Sequence, residues 1–461
     1  MRSATNGADD EEYPEESPFT ADAVRAISSA KDEPDWMRDR RLDALETFRG
    51  MSLPEDWPRQ PDLSVPDLEA IEPYLRPDVD VDFDDGDYEA ERDAVRKTID
   101  RLGVPKTERE ALAGDGAQIE SEVLYHRLAD RWADAGVVFC SMDEAVQNHP
   151  DLVREHFMQA IDPDEHAVAA LHAAFWSGGS FLYVPEGVTV DVPVHAYFRM
   201  TEPGAGQFAH NLLIAEADSE VQYIEGCSAP TFTATNLDCG AVEVFVGENA
   251  HVQHSTVQNW SHNTYSLNVD RAVAETGGRM EWLSGMLGSG TTMLYPSTIL
   301  RGRGASANQI TVTFAEGDQD LDTGAKICHE APETTATIEA KSISQDGGRT
   351  NFRGLVRALD DAEDIATTVE CDALMFDSES TSDTMPHIEV EGDETTVAHE
   401  ATVGRIADED VFYLENRGLD EDDAKQLIVS GFIEPLTEEL PIAYASELNR
   451  LIALEMEGSL G

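Results

Sequence analysis

Tyr223-Ile224-Glu225-Gly226-Cys227-Ser228-Ala229-Pro230 decides how the fold is read. Leu212 and Ile214 upstream, then Val221 and Tyr223, alternate as strand residues do, and Gly226 with Pro230 then bend the chain. A thiol therefore stands where a strand ends. On position alone, Cys227 reads as a free cysteine acting as a small buried hydrophobe. The turn that opens this strand, Asp218-Ser219, recurs at Asn249-Ala250, Gly277-Gly278 and Gly304-Ala305, roughly every thirty residues. Alternating triplets follow the first three turns: Val221-Gln222-Tyr223, Val252-Gln253-His254 and Met280-Glu281-Trp282. Units that cannot bury their own apolar face but can stack predict a mainly β chain with a parallel β-helix or similar solenoid; a β-sandwich is the alternative.

Working outward, this pattern begins near Ser177-Gly178-Gly179 and ends near Arg405, which sets a β-helix core at 171–405. Residues 1–20 are acidic and aperiodic and read as a disordered tail. Residues 21–170 read as a mixed, mainly helical region. Met37, Leu42, Leu45 and Phe48 recur at helical spacing between Pro34 and Gly50. Pro54, Pro58, Pro61 and Pro66, then the acidic loop Asp78 to Asp87, suggest a wrapped arm. Thr107 with Glu110 and Ser141 with Glu144 have capping-box spacing, and the apolar run Val137-Val138-Phe139 lies between them. Beyond Arg405 the period returns to helical over 406–461. One helix runs from Asp408 to Arg417 and ends at Gly418; a second runs from Asp420 through Val429 with Gly431 after it. A third, introduced by Pro441, carries Leu448, Leu451, Ile452 and Leu454. Such a cluster caps the stack or docks a partner.

The 461-residue chain has 32 Lys+Arg against 92 Asp+Glu, a formal net charge of -60. That argues against nucleic acid and anionic membrane as partners. Lysine is confined to Lys31, Lys97, Lys106, Lys326, Lys341 and Lys425, a profile expected of a halophile, whose salt screens carboxylate repulsion. Nothing near Met1 resembles a secretory signal and no apolar run reaches the length of a membrane span, so a cytoplasmic protein is expected. The five cysteines, Cys140, Cys227, Cys239, Cys328 and Cys371, are odd in number and widely spaced, as reduced thiols are.

No Cys-x-x-Cys occurs, so a permanent cluster of the ferredoxin kind is not expected, although a transient site built from distant strands or another chain is open. His399-Glu400 follows the β-branched run Thr395-Thr396-Val397; on a strand His399 shares a face with Val397 and Glu400 points to the other. Both could bind iron or carry protons, or be a core histidine beside a solvated glutamate. Lys326 and Lys341 stand out in so lysine-poor a chain, with neutralisation of nearby carboxylates as the simpler reading. Gly285 to Thr292 is glycine-rich but lacks the lysine and βα context of a P-loop. Paired acids for glycoside chemistry on a β-helix stay open, without a secretion signal to favour them.

Several motifs together carry a resemblance over nearly the whole chain. They are Glu33-Pro34-Asp35-Trp36-Met37, Trp176-Ser177-Gly178-Gly179-Ser180-Phe181, Tyr183-Val184-Pro185, Tyr223 to Pro230, Ser255-Thr256-Val257-Gln258-Asn259-Trp260, His399-Glu400-Ala401-Thr402 and Glu455-Met456-Glu457-Gly458-Ser459. With these the chain resembles the SufB/SufD family of the SUF iron–sulfur cluster assembly system, on its SufB side and in a haloarchaeal-like form. The resemblance implies a right-handed parallel β-helix core, a helical N-terminal part and a C-terminal helical domain that docks the ATPase SufC. It implies an assembly scaffold rather than an enzyme, with ATP hydrolysis left to SufC. Further partners would be a SufD-like subunit or a second copy, a cysteine desulfurase system and apo iron–sulfur proteins. The cargo would be a transient cluster, expected to be 4Fe–4S, with reduced flavin as a candidate co-reactant.

By the same resemblance, Cys227 would accept persulfide sulfur, and Arg199, Gln258 and Trp260 would line its passage through the solenoid interior. Cys371, His399 and Glu400 would hold iron or nascent cluster near a partner interface. Three positions depart from the family pattern. Ser380 stands where some relatives have a further cysteine, Asp270 where lysine is usual and Thr201 where asparagine is usual. They leave a SufD-like structural paralogue without its own cluster as the alternative, with a β-helix carbohydrate-active enzyme behind it.

Overall fold

The computed structural model describes residues 17–51, 63–76, 114–392 and 394–439, with 445, 448–452 and 456. Most of the acidic tail, Pro54 to Pro61, the loop Asp78 to Asp87, the Thr107–Glu110 helix start, Pro441 and the final Glu457-Gly458-Ser459 lie outside the described residues.

From Val194 onward each coil of chain lays one strand in each of two sheets. The first sheet holds, side by side and parallel, Val194–Arg199, Glu220–Ser228, His251–Asn259, Arg279–Met286, Ser306–Glu316, Thr335–Gln345, Ile365–Met375 and Thr395–Arg405. The intervening strands, from His210–Ala215 to Thr381–Val390, form the second sheet. This is a parallel β-solenoid of about eight turns. Its register follows the predicted repeat: Val221 lies beside Val252, then Met280, Ala307, Ala336, Thr367 and Val397. Each coil buries the apolar edge that its neighbour leaves bare.

One corner of every coil is turned by a residue in the left-handed region. Asp218, Asn249, Gly277 and Gly304 have φ of 58°, 54°, 65° and 70°, and Glu333 and Asp364 continue the series at 61° and 55°. Each turn donates its N–H to the next coil, as Asn249 N does to Thr276 O at 2.9 Å and Gly304 N to Pro332 O at 3.0 Å. The stretch rejected as a phosphate loop is explained by stacking. A Cβ on Gly288 or Gly290 would collide with the backbone of Trp260 or His262 in the preceding coil.

The region expected to be mainly helical also supplies strands to the solenoid's first end. Gly114–Ile119 pairs parallel with Val194–Arg199 and antiparallel with Glu122–Leu128, and the apolar run at 137–139 leads into the strand Val138–Ser141. The helices Ala21–Ala30, Asp35–Gly50, Met142–Asn148, Pro150–His156 and Ala167–Phe175 accompany them. Their apolar faces meet the outer face of the second sheet through Met37, Leu45, Phe48, Phe175, Leu212, Ile214 and Leu267. Ser141 caps its helix as predicted, accepting from Glu144 N at 3.0 Å. Glu33 and Arg41 form a fully buried pair with Nε to Oε2 at 2.9 Å. The same guanidinium donates to Trp176 O at 2.7 Å and lies 4.3 Å over the Trp176 ring, which links two of the quoted motifs.

At the other end come the helices Asp408–Glu415, Glu421–Phe432 and Glu434–Glu439. Val429, Ile433, Leu448, Leu451 and Ile452 pack on the outer face of the first sheet against Leu283, Ile310, Val312 and Phe314. The second helix therefore does not stop before Gly431. Continuing it to Phe432 brings Ile433 into this core, which outweighs the cost of about 1 kcal/mol for a mid-helix glycine. Among the described residues, no helix is long and apolar enough to cross a membrane.

Candidate functional site in the solenoid interior

Alternation along Glu220–Ser228 sends Val221, Tyr223, Glu225 and Cys227 to the interior. Cys227 lies in register between Phe198 of the preceding coil and Gln258 of the next. All three, with Trp260, line a cavity closed on the far side by Asp238, Asn268 and Asp270 of the second sheet. Gln258 and Trp260 therefore stand beside Cys227. Arg199 does not. One residue beyond Phe198, it faces the other way, and its Nη1 donates to Ser228 Oγ at 3.0 Å.

The cavity is acidic and ordered. Asp238 Oδ2 accepts from Trp260 Nε1, Ser266 Oγ and Asn268 Nδ2, each at 2.9 Å, and from Gln258 Nε2 at 3.5 Å. Burial pushes the Asp238 carboxyl up to about 6 even so. Cys227 Sγ donates to Glu225 Oε1 at 3.7 Å, and Glu225 Oε2 accepts from Asn211 Nδ2 at 2.9 Å with His254 Nε2 at 3.4 Å. Burial first, then the charges of Glu225 and Asp238, pushes the Cys227 thiol well above its ordinary range. The resting form is the thiol, not the thiolate. Asp270 is pushed well above the ordinary carboxylate range by burial and by the same two neighbours. Thr201, another of the departures, lies half-buried beyond the strand Val194–Arg199 and is committed to Glu120: its hydroxyl donates at 2.9 Å.

Cys371 lies five strand steps along the same sheet, also facing inward. At about 4.8 Å per strand this is about 24 Å from Cys227. Its column runs from Glu225 through Thr256, Ser284, Thr311 and Ala340. Its Sγ is 3.6 Å from His399 Nε2, and burial with the Asp372 and Glu370 charges pushes the thiol up to about 12. Glu400 faces outward beside Glu370 on the adjacent strand, as the alternation predicts, and so is not brought together with Cys371 and His399. Among the described residues no three His, Cys, Asp or Glu side chains are grouped to hold a metal ion. Lys341 neutralises carboxylates, lying 2.5 Å from Asp372 and 3.4 Å from Glu370. Ser380 Oγ donates to Asp377 at 2.9 Å within a turn. Sequence reasoning passed over Glu225, Asp238, His254 and Asn211; the i, i+2 spacing of Glu225 to Cys227 on one strand was the available signal.

Two family models match. SUF system FeS cluster assembly, SufBD core domain, covers residues 198–432, and SufBD protein N-terminal region covers residues 25–196. The chain belongs to the SufB/SufD family. Curated SufB/SufD relatives include iron–sulfur cluster assembly SufBD family proteins of Staphylococcus haemolyticus, Staphylococcus epidermidis and Staphylococcus saprophyticus. Each is 42% identical over 443 residues, 96% of this chain and 94% of the relative. The core match takes in Cys227, Gln258, Trp260, Cys371, His399 and Glu400. As a SufB/SufD protein, the chain is an iron–sulfur cluster assembly protein of the SUF system.

Proposed function

We propose that the chain is a sulfur-accepting scaffold on which an iron–sulfur cluster is built and passed to apo proteins. Cys227 takes sulfane sulfur from a cysteine desulfurase system, and Cys371 with His399 holds iron or nascent cluster. The observation that carries this reading is that Cys227 and Cys371 face the same interior from one sheet, where a column of small side chains, Thr256, Ser284, Thr311 and Ala340, leads to Cys371 from Glu225, two residues before Cys227. An enclosed path suits a persulfide, which water and oxidants would otherwise destroy. Gln258 and Trp260 line its start, and Arg199 acts from the opposite face through Ser228.

Cys371 is one strand from the last strand of the solenoid, and the last two strands expose Met385, Ile388, Val390 and Val403. An edge that is unpaired among the described residues and carries apolar residues suits a second solenoid, a SufD-like subunit or another copy, which would complete the ligand set around Glu400. The exposed Phe412, Tyr413 and Leu427 on the terminal helices suit docking of the SufC ATPase, which supplies the ATP hydrolysis. The cargo is assigned as a transient 4Fe–4S cluster, with reduced flavin supplying electrons, in a cytoplasmic setting. Anaerobic co-purification with SufC and SufD-like partners, reading iron, sulfide and flavin together, tests the reading. Labile iron and sulfide that stay with this chain after the partners are removed support the scaffold role; none at any stage indicates the structural, SufD-like role.

A further inference from the structure

We propose that Glu225 is the proton acceptor for Cys227, the group that makes a buried thiol reactive. The inference rests on the proposed sulfur acceptance at Cys227. Among the described residues, Glu225 alone accepts a hydrogen bond from the Cys227 thiol. Its Oε1 receives the thiol hydrogen at 3.7 Å, while Asn211 at 2.9 Å fixes its other oxygen. Asp238 spends Oδ2 on four donors, and the thiol makes its hydrogen bond to Glu225, not to Asp270. His254 Nε2, 3.4 Å from Glu225 Oε2 and without a hydrogen bond, lines the same cavity. Tyr223 on the same strand, Tyr197 and His195 on the preceding coil, and Arg199 behind Ser228 complete the titratable and charged surroundings.

The step is balanced. Cys227 Sγ bonds to the sulfane sulfur of a hydropersulfide donor as the donor's sulfur–sulfur bond breaks. The thiol proton passes to Glu225 and then to the departing thiolate, and the sulfane sulfur keeps its oxidation state. No outside oxidant or reductant enters.

The test follows Cys227 alone, by peptide mass spectrometry of the full chain, with two probes: glutathione hydropersulfide and iodoacetamide. With Glu225 present, both reactions depend on pH less steeply than reaction through the thiolate alone. Glu225→Gln slows them about 100-fold at neutral pH and makes them rise about tenfold per pH unit, because the thiolate must then form unaided. Glu225→Asp restores the shallower profile at a reduced rate, which a packing role would not do, and unfolding midpoints check that each variant is folded. Parallel wild-type and Glu225→Gln profiles would overturn the assignment. Split alkylation profiles without any sulfur transfer to wild-type Cys227 would instead uphold Glu225 and remove the sulfur-acceptor reading beneath it.

Discussion

Asp270 shares its surroundings with Cys227, and what it does to the protein depends on the sign of its shift. Burial raises its carboxyl well above the unfolded value of about 3.8. The folded state then holds a proton that the unfolded state releases, so this contribution is fully present below the unfolded pKa and is lost as pH rises through the folded one. Asp270→Asn removes the penalty. Urea unfolding should show the variant more stable than wild type at about pH 8, with the advantage shrinking toward about pH 4; equal pH dependence in both would contradict the assignment. Residues of this kind resist reading from sequence. Asp270 is one of 92 acids, and only the second sheet closing over Cys227 sets it apart. Arg199 shows the converse: the resemblance grouped it with Gln258 and Trp260, but a one-residue offset on a strand turns a side chain to the other face.

At the scale of elements, Glu33 and Arg41 join the helix Asp35–Gly50 to the Trp176 turn from which the solenoid begins. Arg41→Ala leaves the Glu33 carboxylate and two backbone carbonyls without their donor. A loss of about 3–5 kcal/mol is expected in urea unfolding. A change under 1 kcal/mol would mean that apolar contacts alone hold this helix. The coils were legible because Asp218, Asn249, Gly277 and Gly304 are residue types that accept positive φ. The series continues through Glu333, a residue that rarely adopts φ of 61°, so composition hid the later corner. The edge pairing of Gly114–Ile119 and Glu122–Leu128 was hidden too, since its partner strand lies about 80 residues on and no local period reports a contact so distant.

For the whole molecule, a net charge of -60 on one chain works against its own compact state unless counterions screen it. At 1 M salt screening acts over about 3 Å, so the unfolding midpoint should rise through molar KCl; a midpoint that is flat or falls would sink the salt-adapted reading. The solenoid places its two interior thiols about 24 Å apart along one sheet, with the second near an unpaired end. The central claim is that sulfur enters at Cys227 and that cluster forms around Cys371. The most direct test is anaerobic cluster reconstitution of wild type, Cys227→Ser and Cys371→Ser, with sulfur supplied either by desulfurase and cysteine or as inorganic sulfide. Cys227→Ser should fail with the desulfurase and recover with sulfide, whereas Cys371→Ser should fail with both. Undiminished cluster formation by Cys227→Ser with the desulfurase would remove Cys227 from the mechanism.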